Sequence, residues 1–209
     1  MIVKICGIQN KETLICCENK NVDFFGMIFH SKSPRNISIN QAEELQKNSC
    51  NMNIKGVGVF VNENIENIVK YIDKLKLKLV QLHGEEDEKY INEIKKFNIK
   101  VIKKISVSNK KDIENIKNYK NVDYFLFDYK PKQNELPGGN AKSFDWNILK
   151  EFKLGKPWFL SGGINIDNIQ YLKTEIKPFG IDLSSGVEKE LGIKDNQIIN
   201  NFIDKLKNA

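Results

Sequence analysis

The chain has 209 residues, 40% hydrophobic and 29% charged, enough apolar surface for one domain to bury a core without disulfide or metal staples. The formal charge of +6 raises nucleic acid as a partner, but the lysines alternate with acidic residues along Glu85 to Lys100 and Lys110 to Lys120, the pattern of a solvated helix face, and no segment interleaves them with stacking aromatics. No apolar run is long enough to span a bilayer and no charged-then-apolar leader follows Met1, so neither nucleic acid nor a membrane is expected as partner, and the cytoplasm is the expected location.

Val3 to Ile8 reads as a strand that breaks at Gly7, and Asn10 can cap a helix through Leu14 and Cys17. Phe24 to Phe29 is a second strand, followed by a loop with Lys32, Pro34 and Arg35 and by a helix that Ser38 or Asn40 can cap. Lys55 to Val61 is strand three, before a helix marked by Ile65, Ile68, Val69 and Ile72. Leu79 to His83 is strand four; its helix carries Tyr90, Ile91, Ile94 and Phe97. Val101 to Val107 is strand five, with Ser108 or Asn109 as cap for the next helix. Tyr124 to Asp128 is strand six, and a long loop from Tyr129 to Ser143 leads to a short helix through Trp146 and Leu149.

The last two units repeat one device. Trp158 to Ile164 and Phe179 to Glu188 are each a short apolar run that empties into Ser and Gly, and the final helix runs from about Asp195 to Lys207. Bare backbone amides in two adjacent turns make an anion cup, with phosphate as its natural guest. The count is eight strands and eight helices in strict alternation. Strands apolar on both faces imply a parallel sheet covered by helices, and eight units in this length imply a closed (βα)8 TIM barrel spanning residues 1–209 as a single domain. Barrels of this class often bind phosphate after strands 7 and 8.

Working residues of a barrel sit at the C-terminal strand ends. This nominates Cys6, His30 with Arg35, Phe60, Gln81, His83, Ser106, Asp128, Ser161 to Gly163 and Asp182 to Gly186. Cys6 is the thiol among them, and Asp128 and Asp182 are the carboxyl groups. A thiolate can act as base and a carboxyl drawn out of water as acid, so Cys6 and Asp128 together can move a proton between carbon and oxygen. A cysteine is more often plain core, but the position of Cys6 directly before Gly7 favours a working role. Among 33 basic residues only Arg35 is arginine, which suggests a site that needs a planar fork to grip a carboxylate or phosphate at two points. Cys6, Cys16, Cys17 and Cys50 have no CxxC spacing and fit reduced thiols. With His30 and His83 the only histidines, no metal site is expected.

Lys4 to Ile8, Lys32 to Arg35, Val57 to Asn62, Val80 to Gly84, Leu126 to Asp128, Lys142 to Trp146, Leu160 to Gly163 and Asp182 to Glu188, in this order, resemble the phosphoribosylanthranilate isomerase family over nearly the whole chain. The resemblance implies a cofactor-free step of tryptophan biosynthesis, the Amadori rearrangement of a phosphorylated small-molecule substrate. It implies that Asp128 is the general acid, that Cys6 is the general base, and that Arg35 holds the anthranilate carboxylate. Gly162, Gly163, Ser184, Ser185 and Gly186 would hold the phosphate, and Asp182 would orient the substrate near its nitrogen or ribose. His83, His30 and Gln81 are expected to support the site rather than carry catalysis. Two stretches depart from the family pattern: Gly138 to Lys142 has Ala141 where glycine is usual, and Asn36 stands where an aromatic is common.

The rival readings are another phosphosugar barrel enzyme, which would need a catalytic lysine with glutamates or a metal set, and a non-catalytic barrel that binds a phosphorylated ligand, which would have lost Cys6 or Asp128. Oligomeric state is open in the sequence, with a monomer the favoured expectation.

Overall fold

The computed structural model describes residues 1–50, 52–131, 142–152 and 154–208. The apolar runs become eight strands: β1 (Ile2–Cys6), β2 (Phe24–Ile28), β3 (Lys55–Phe60), β4 (Leu79–Leu82), β5 (Lys100–Val107), β6 (Tyr124–Tyr129), β7 (Trp158–Leu160) and β8 (Gly180–Leu183). Each pairs in parallel with the next, and β8 returns to β1 with Lys4 opposite Asp182, so the sheet closes into a barrel. Closure leaves no strand edge unpaired, and alternation along each strand sends every second side chain into the lumen.

Two apolar masses follow from that alternation. Val57, Leu79, Ile102, Leu126 and Phe159 plug the floor of the lumen, with Ile2, Phe24 and Tyr124 packed against them. Phe159 meets Phe24 and Tyr124 edge-on at centroid distances of 6.4 and 5.7 Å. Truncating so central an aromatic to alanine costs about 3–5 kcal/mol. The larger mass fills the shell between strands and helices. Above the floor the lumen turns polar, and Lys4, Gln81, Lys104, Asp128 and Asp182 are all buried there.

The outer layer comprises α1 (Lys11–Asn19), α2 (Ile39–Ser49), α3 (Ile65–Leu75), α4 (Glu88–Lys95), α5 (Lys110–Glu114), the short α6 (Ile169–Tyr171) and α7 (Asn196–Asn208). Side-chain caps start most of them, because the first amides of a helix have no partner within it. Asn10 accepts from the Thr13 amide, Ser38 forms a reciprocal box with Gln41, and Asn109 does the same with Asp112.

The expected eight α-helices are not all α. The segment after β6 is a 3-10 helix, Trp146–Glu151, ended when Phe152 turns extended. After β7, 3-10 residues Ile166–Asn168 lead into α6 and then into a π-type turn, Leu172–Ile176. Both pieces are short, and tight or wide turns are tolerated in short pieces where packing rather than propagation supplies the stability. Between β8 and the final helix, Ser185–Val187 is 3-10 and a hairpin follows, β9 (Glu188–Glu190) and β10 (Ile193–Lys194). Its turn uses Gly192 at φ +86°, and a Cβ there would stand 3.0 Å from the Pro34 carbonyl oxygen, so the hairpin tip presses on the loop after β2.

Candidate active site

The C-terminal strand ends surround an open pocket of about 560 Å³ lined by Cys6, Arg35, Gln81, His83, Asp128 and Asp182 together with His30, Ser161 and Ser184. Of the nominated residues, Gly162, Gly163, Ser185 and Gly186 do not line it and belong to the turns at its rim, Leu183 is core, and Phe60 and Ser106 lie elsewhere. Phe60 is core, stacked on Phe29 at 5.3 Å, and Ser106 faces a neighbouring cavity, where its hydroxyl accepts from Lys104 Nζ at 2.7 Å. Asn36 is exposed and does not line the pocket. Residues 138–141 of the divergent loop lie outside the described residues.

Asp128 is 4% exposed, at the end of β6. Burial pushes its carboxyl up to about 6; Lys104, the Tyr129 amide and Ser161 pull the other way, and Asp182 adds to the rise. The Tyr129 amide donates to Oδ1 at 2.8 Å, while His83 Nε2 stands 3.6 Å from Oδ2. His83 Nδ1 is 2.9 Å from Gln81 Nε2. With the Gln81 amide as donor, His83 carries its proton on Nε2, towards Asp128.

Cys6 closes β1 and is buried. Burial raises its thiol above the ordinary range and Asp182 adds to this, while Lys4 and Lys194 oppose it. Lys4 is wholly buried and donates to both Asp182 oxygens at 2.9 and 2.8 Å. Burial works against its charge, but Asp182 and Cys6 outweigh that and hold the ammonium above its usual value. The carboxylate that was to orient a substrate is therefore already bound to a lysine.

Arg35 is 2% exposed, and its fork is engaged as well. Nε and Nη2 each donate to Glu188 at 2.7 Å, so the two-point grip inferred for a substrate carboxylate is made here with a carboxylate of the chain itself. Glu188 also binds Lys194 and accepts from the Gly192 amide at 3.0 Å. Burial alone would raise Glu188, yet Arg35, Lys194 and that amide overcome it and hold the group at about 2. Gly7, at φ +85°, makes room for this arginine, since a Cβ there would lie 2.8 Å from its Cδ.

The two glycine turns meet at the rim. Gly162 and Gly163 have φ of +84° and +71°, and a Cβ on Gly186 would stand 2.1 Å from the Ile164 carbonyl oxygen, so the turns after β7 and β8 are in direct contact. Ser184 donates its hydroxyl to the Cys6 carbonyl at 3.2 Å, which ties the second turn to β1. The cup is thus backbone with short 3-10 segments behind it, in place of the full helix starts that were expected.

Sequence reasoning did not single out Lys4, Lys104, Glu188 or Lys194. For Lys4 a signal existed, because it alternates with Cys6 inside an apolar strand and so shares its face. Among the described residues no three His, Cys, Asp or Glu side chains cluster as a metal site, and no helix is long and apolar enough to cross a membrane.

Comparison with known proteins agrees with this geometry. The family described as N-(5'phosphoribosyl)anthranilate (PRA) isomerase matches residues 3–205. The N-(5'-phosphoribosyl)anthranilate isomerase of Clostridium acetobutylicum is 41% identical over 98% of this chain and 97% of its own. Monomers generated from the dimeric phosphoribosylanthranilate isomerase of Thermotoga maritima superpose with a TM-score of 0.85 at 35% identity, covering 100% of both chains. A phosphoribosyl anthranilate isomerase in complex with reduced 1-(o-carboxyphenylamino)-1-deoxyribulose 5-phosphate gives a TM-score of 0.87 at 34% identity, again over 100% of both. A family match over almost the whole chain, relatives at this identity and the same closed barrel lead to one conclusion: the chain belongs to the N-(5'-phosphoribosyl)anthranilate isomerase family.

Proposed function

We propose that this chain catalyses the rearrangement of N-(5'-phosphoribosyl)anthranilate to 1-(2-carboxyphenylamino)-1-deoxyribulose 5-phosphate in tryptophan biosynthesis, as one cytoplasmic domain and without a cofactor. The observation that carries this reading is a thiol and a carboxyl held near pKa 6 on the wall of one pocket, below two touching glycine turns, in a chain of this family.

Asp128 protonates the ribose ring oxygen, and the ring opens to a Schiff base. Its elevated pKa supports this role, because an acid must still hold a proton near neutral pH. Cys6 as thiolate then takes the C2 proton; the electrons of that bond pass into the C1–C2 bond, and the enolamine formed tautomerises to the ketone. Gly162, Gly163, Ser184, Ser185 and Gly186 receive the phosphate through backbone amides, with their contact across Ile164 in support. Arg35 receives the anthranilate carboxylate beside or in place of Glu188, and Asp182, on the pocket wall, orients the substrate near its nitrogen or ribose.

The test is loss of anthranilate-type fluorescence when purified protein meets freshly generated substrate, with Cys6→Ala and Asp128→Asn alongside. Rapid turnover by the wild type and losses of about 10²- to 10⁴-fold in each variant are expected. A wild type that binds inorganic phosphate but turns nothing over makes the chain a non-catalytic binding barrel. The chain acts as a monomer on this reading, which sedimentation at working concentration checks.

A further inference from the structure

At the level of Cys6 the lumen holds more charge than one acid and one base require. Lys4, two residues before Cys6 on the inward face of β1, is wholly buried and bound to Asp182 through two hydrogen bonds. Its ammonium and the Cys6 sulfur both press on the bare face of Gly26 in β2, where a Cβ would stand 2.7 Å from Sγ and 3.2 Å from Nζ. Both atoms lie that close to one point, so the ammonium and the sulfur are no more than about 6 Å apart, close enough for the charge of one to act on the other. Burying an ammonium only to pair it with a carboxylate gains little stability, since the desolvation cost rivals the attraction. Set against a thiol, the same charge has chemical work to do.

We propose that Lys4 is a positioning residue whose ammonium favours the thiolate form of Cys6 against the cost of burying it, and that Asp182 sets how much of the Lys4 charge reaches the sulfur. This deepens the isomerase reading and rests on it. Lys4 keeps its proton throughout: the C2–H bond breaks, an S–H bond forms, and the ammonium stays beside the sulfur before and after. Asp182 stays a carboxylate bound to Lys4 and takes no proton.

The charged groups that face Cys6 are Lys4 from its own strand, Asp182 from β8 and Lys194 from β10. Lys194 is bound to Glu188, which also holds Arg35, so the charge of both cations is directed at that carboxylate. Lys4 differs in binding its counter-ion while sharing the bare face of Gly26 with the sulfur.

The pair predicts opposite signs for its two halves. In the whole protein, alkylation of Cys6 by iodoacetamide, resolved by mass spectrometry from about pH 7 to 11, reads the thiol midpoint, or the change in rate below it, without any substrate. Lys4→Met is expected to raise the midpoint by at least about one unit, alkylating about tenfold more slowly at pH 8, and Asp182→Asn to lower it by a similar amount. A purely structural role loosens the lumen in both variants and moves both midpoints the same way; that result, or an unmoved midpoint in Lys4→Met, overturns the proposal. If Lys4→Met does not fold, Asp182→Asn decides: a lowered midpoint supports the proposal, and an unmoved or raised one ends it. Opposite shifts in a protein that shows no turnover would sink the isomerase reading and leave the thiolate clamp standing. Normal turnover with unmoved midpoints would do the reverse.

Discussion

Asparagine in place of Asp128 is expected to stabilise the fold while removing the proposed acid. The carboxyl is 4% exposed, and burial lifts it from 3.8 to about 6 despite opposition from Lys104, the Tyr129 amide and Ser161. A folded-state pKa above the unfolded one means that the native chain holds on to a proton which the unfolded chain releases. Below the unfolded value both states are protonated and nothing is lost. Between that value and about 6 the penalty grows, and above it the penalty is constant. A rise of this size corresponds to about 3 kcal/mol. Asparagine cannot ionise, keeps an oxygen for the Tyr129 amide, which donates at 2.8 Å, and so escapes the penalty. Urea unfolding at several pH values should show Asp128→Asn equal to wild type near pH 3.5 and more stable by up to about 3 kcal/mol at pH 8. For a chain of this length that is a rise in Tm of roughly 6–12 °C at the higher pH. A gain of equal size at both pH values, or a loss at pH 8, would refute the placing of a strained, buried carboxyl at this strand end.

The pH dependence of kcat/KM should have a lower limb near 6, falling about tenfold per unit below it, and an upper limb above the ordinary thiol range, because burial raises Cys6. His83→Gln should keep the lower limb, and a profile flat down to pH 5 would assign the acid elsewhere. Arg35→Lys keeps the charge but loses the two-point grip on Glu188, so KM should rise about tenfold and stability fall by about 1–3 kcal/mol in urea titration; no change in either would mean that the fork is idle. Gly186→Ala forces a Cβ to 2.1 Å from the Ile164 carbonyl oxygen and must part the two turns. Calorimetry should find inorganic phosphate bound at least about tenfold more weakly, and unchanged affinity would remove phosphate from this cup.

Which parts of the site were legible in the chain follows from the kind of order each part depends on. Strand ends are local: an apolar run followed by Gly or Ser marks them, and Cys6, Gln81, His83, Asp128, Ser161 and Asp182 do meet around one pocket. Helix starts are local too, and Asn10, Ser38 and Asn109 cap as their spacing suggested. Helix type is not local. Trp146–Glu151 and Leu172–Ile176 depart from α geometry where no side chain announces it, because short segments take the winding that their packing on the barrel allows. Charge pairing is least local of all. Arg35 is conspicuous as the one arginine, and a lone planar fork suggests a carboxylate or a phosphate gripped at two points. That the carboxylate would be Glu188, on a hairpin 153 residues away, depends on how the hairpin after β8 folds back over the loop after β2.

Lys4 makes the same point from the opposite side. Its parity with Cys6 was readable, but a lysine in an apolar strand ordinarily extends its ammonium to water. It stays inside because barrel closure sets β8 against β1 with Asp182 in register, and because Gly26 leaves room for both the ammonium and the sulfur. Neither condition can be read from β1. A lysine that alternates with a thiol on one strand therefore becomes a chemical signal only after the register of the closing strand is known, and the opposite effects expected of Lys4→Met and Asp182→Asn on one thiol are a direct measure of that register.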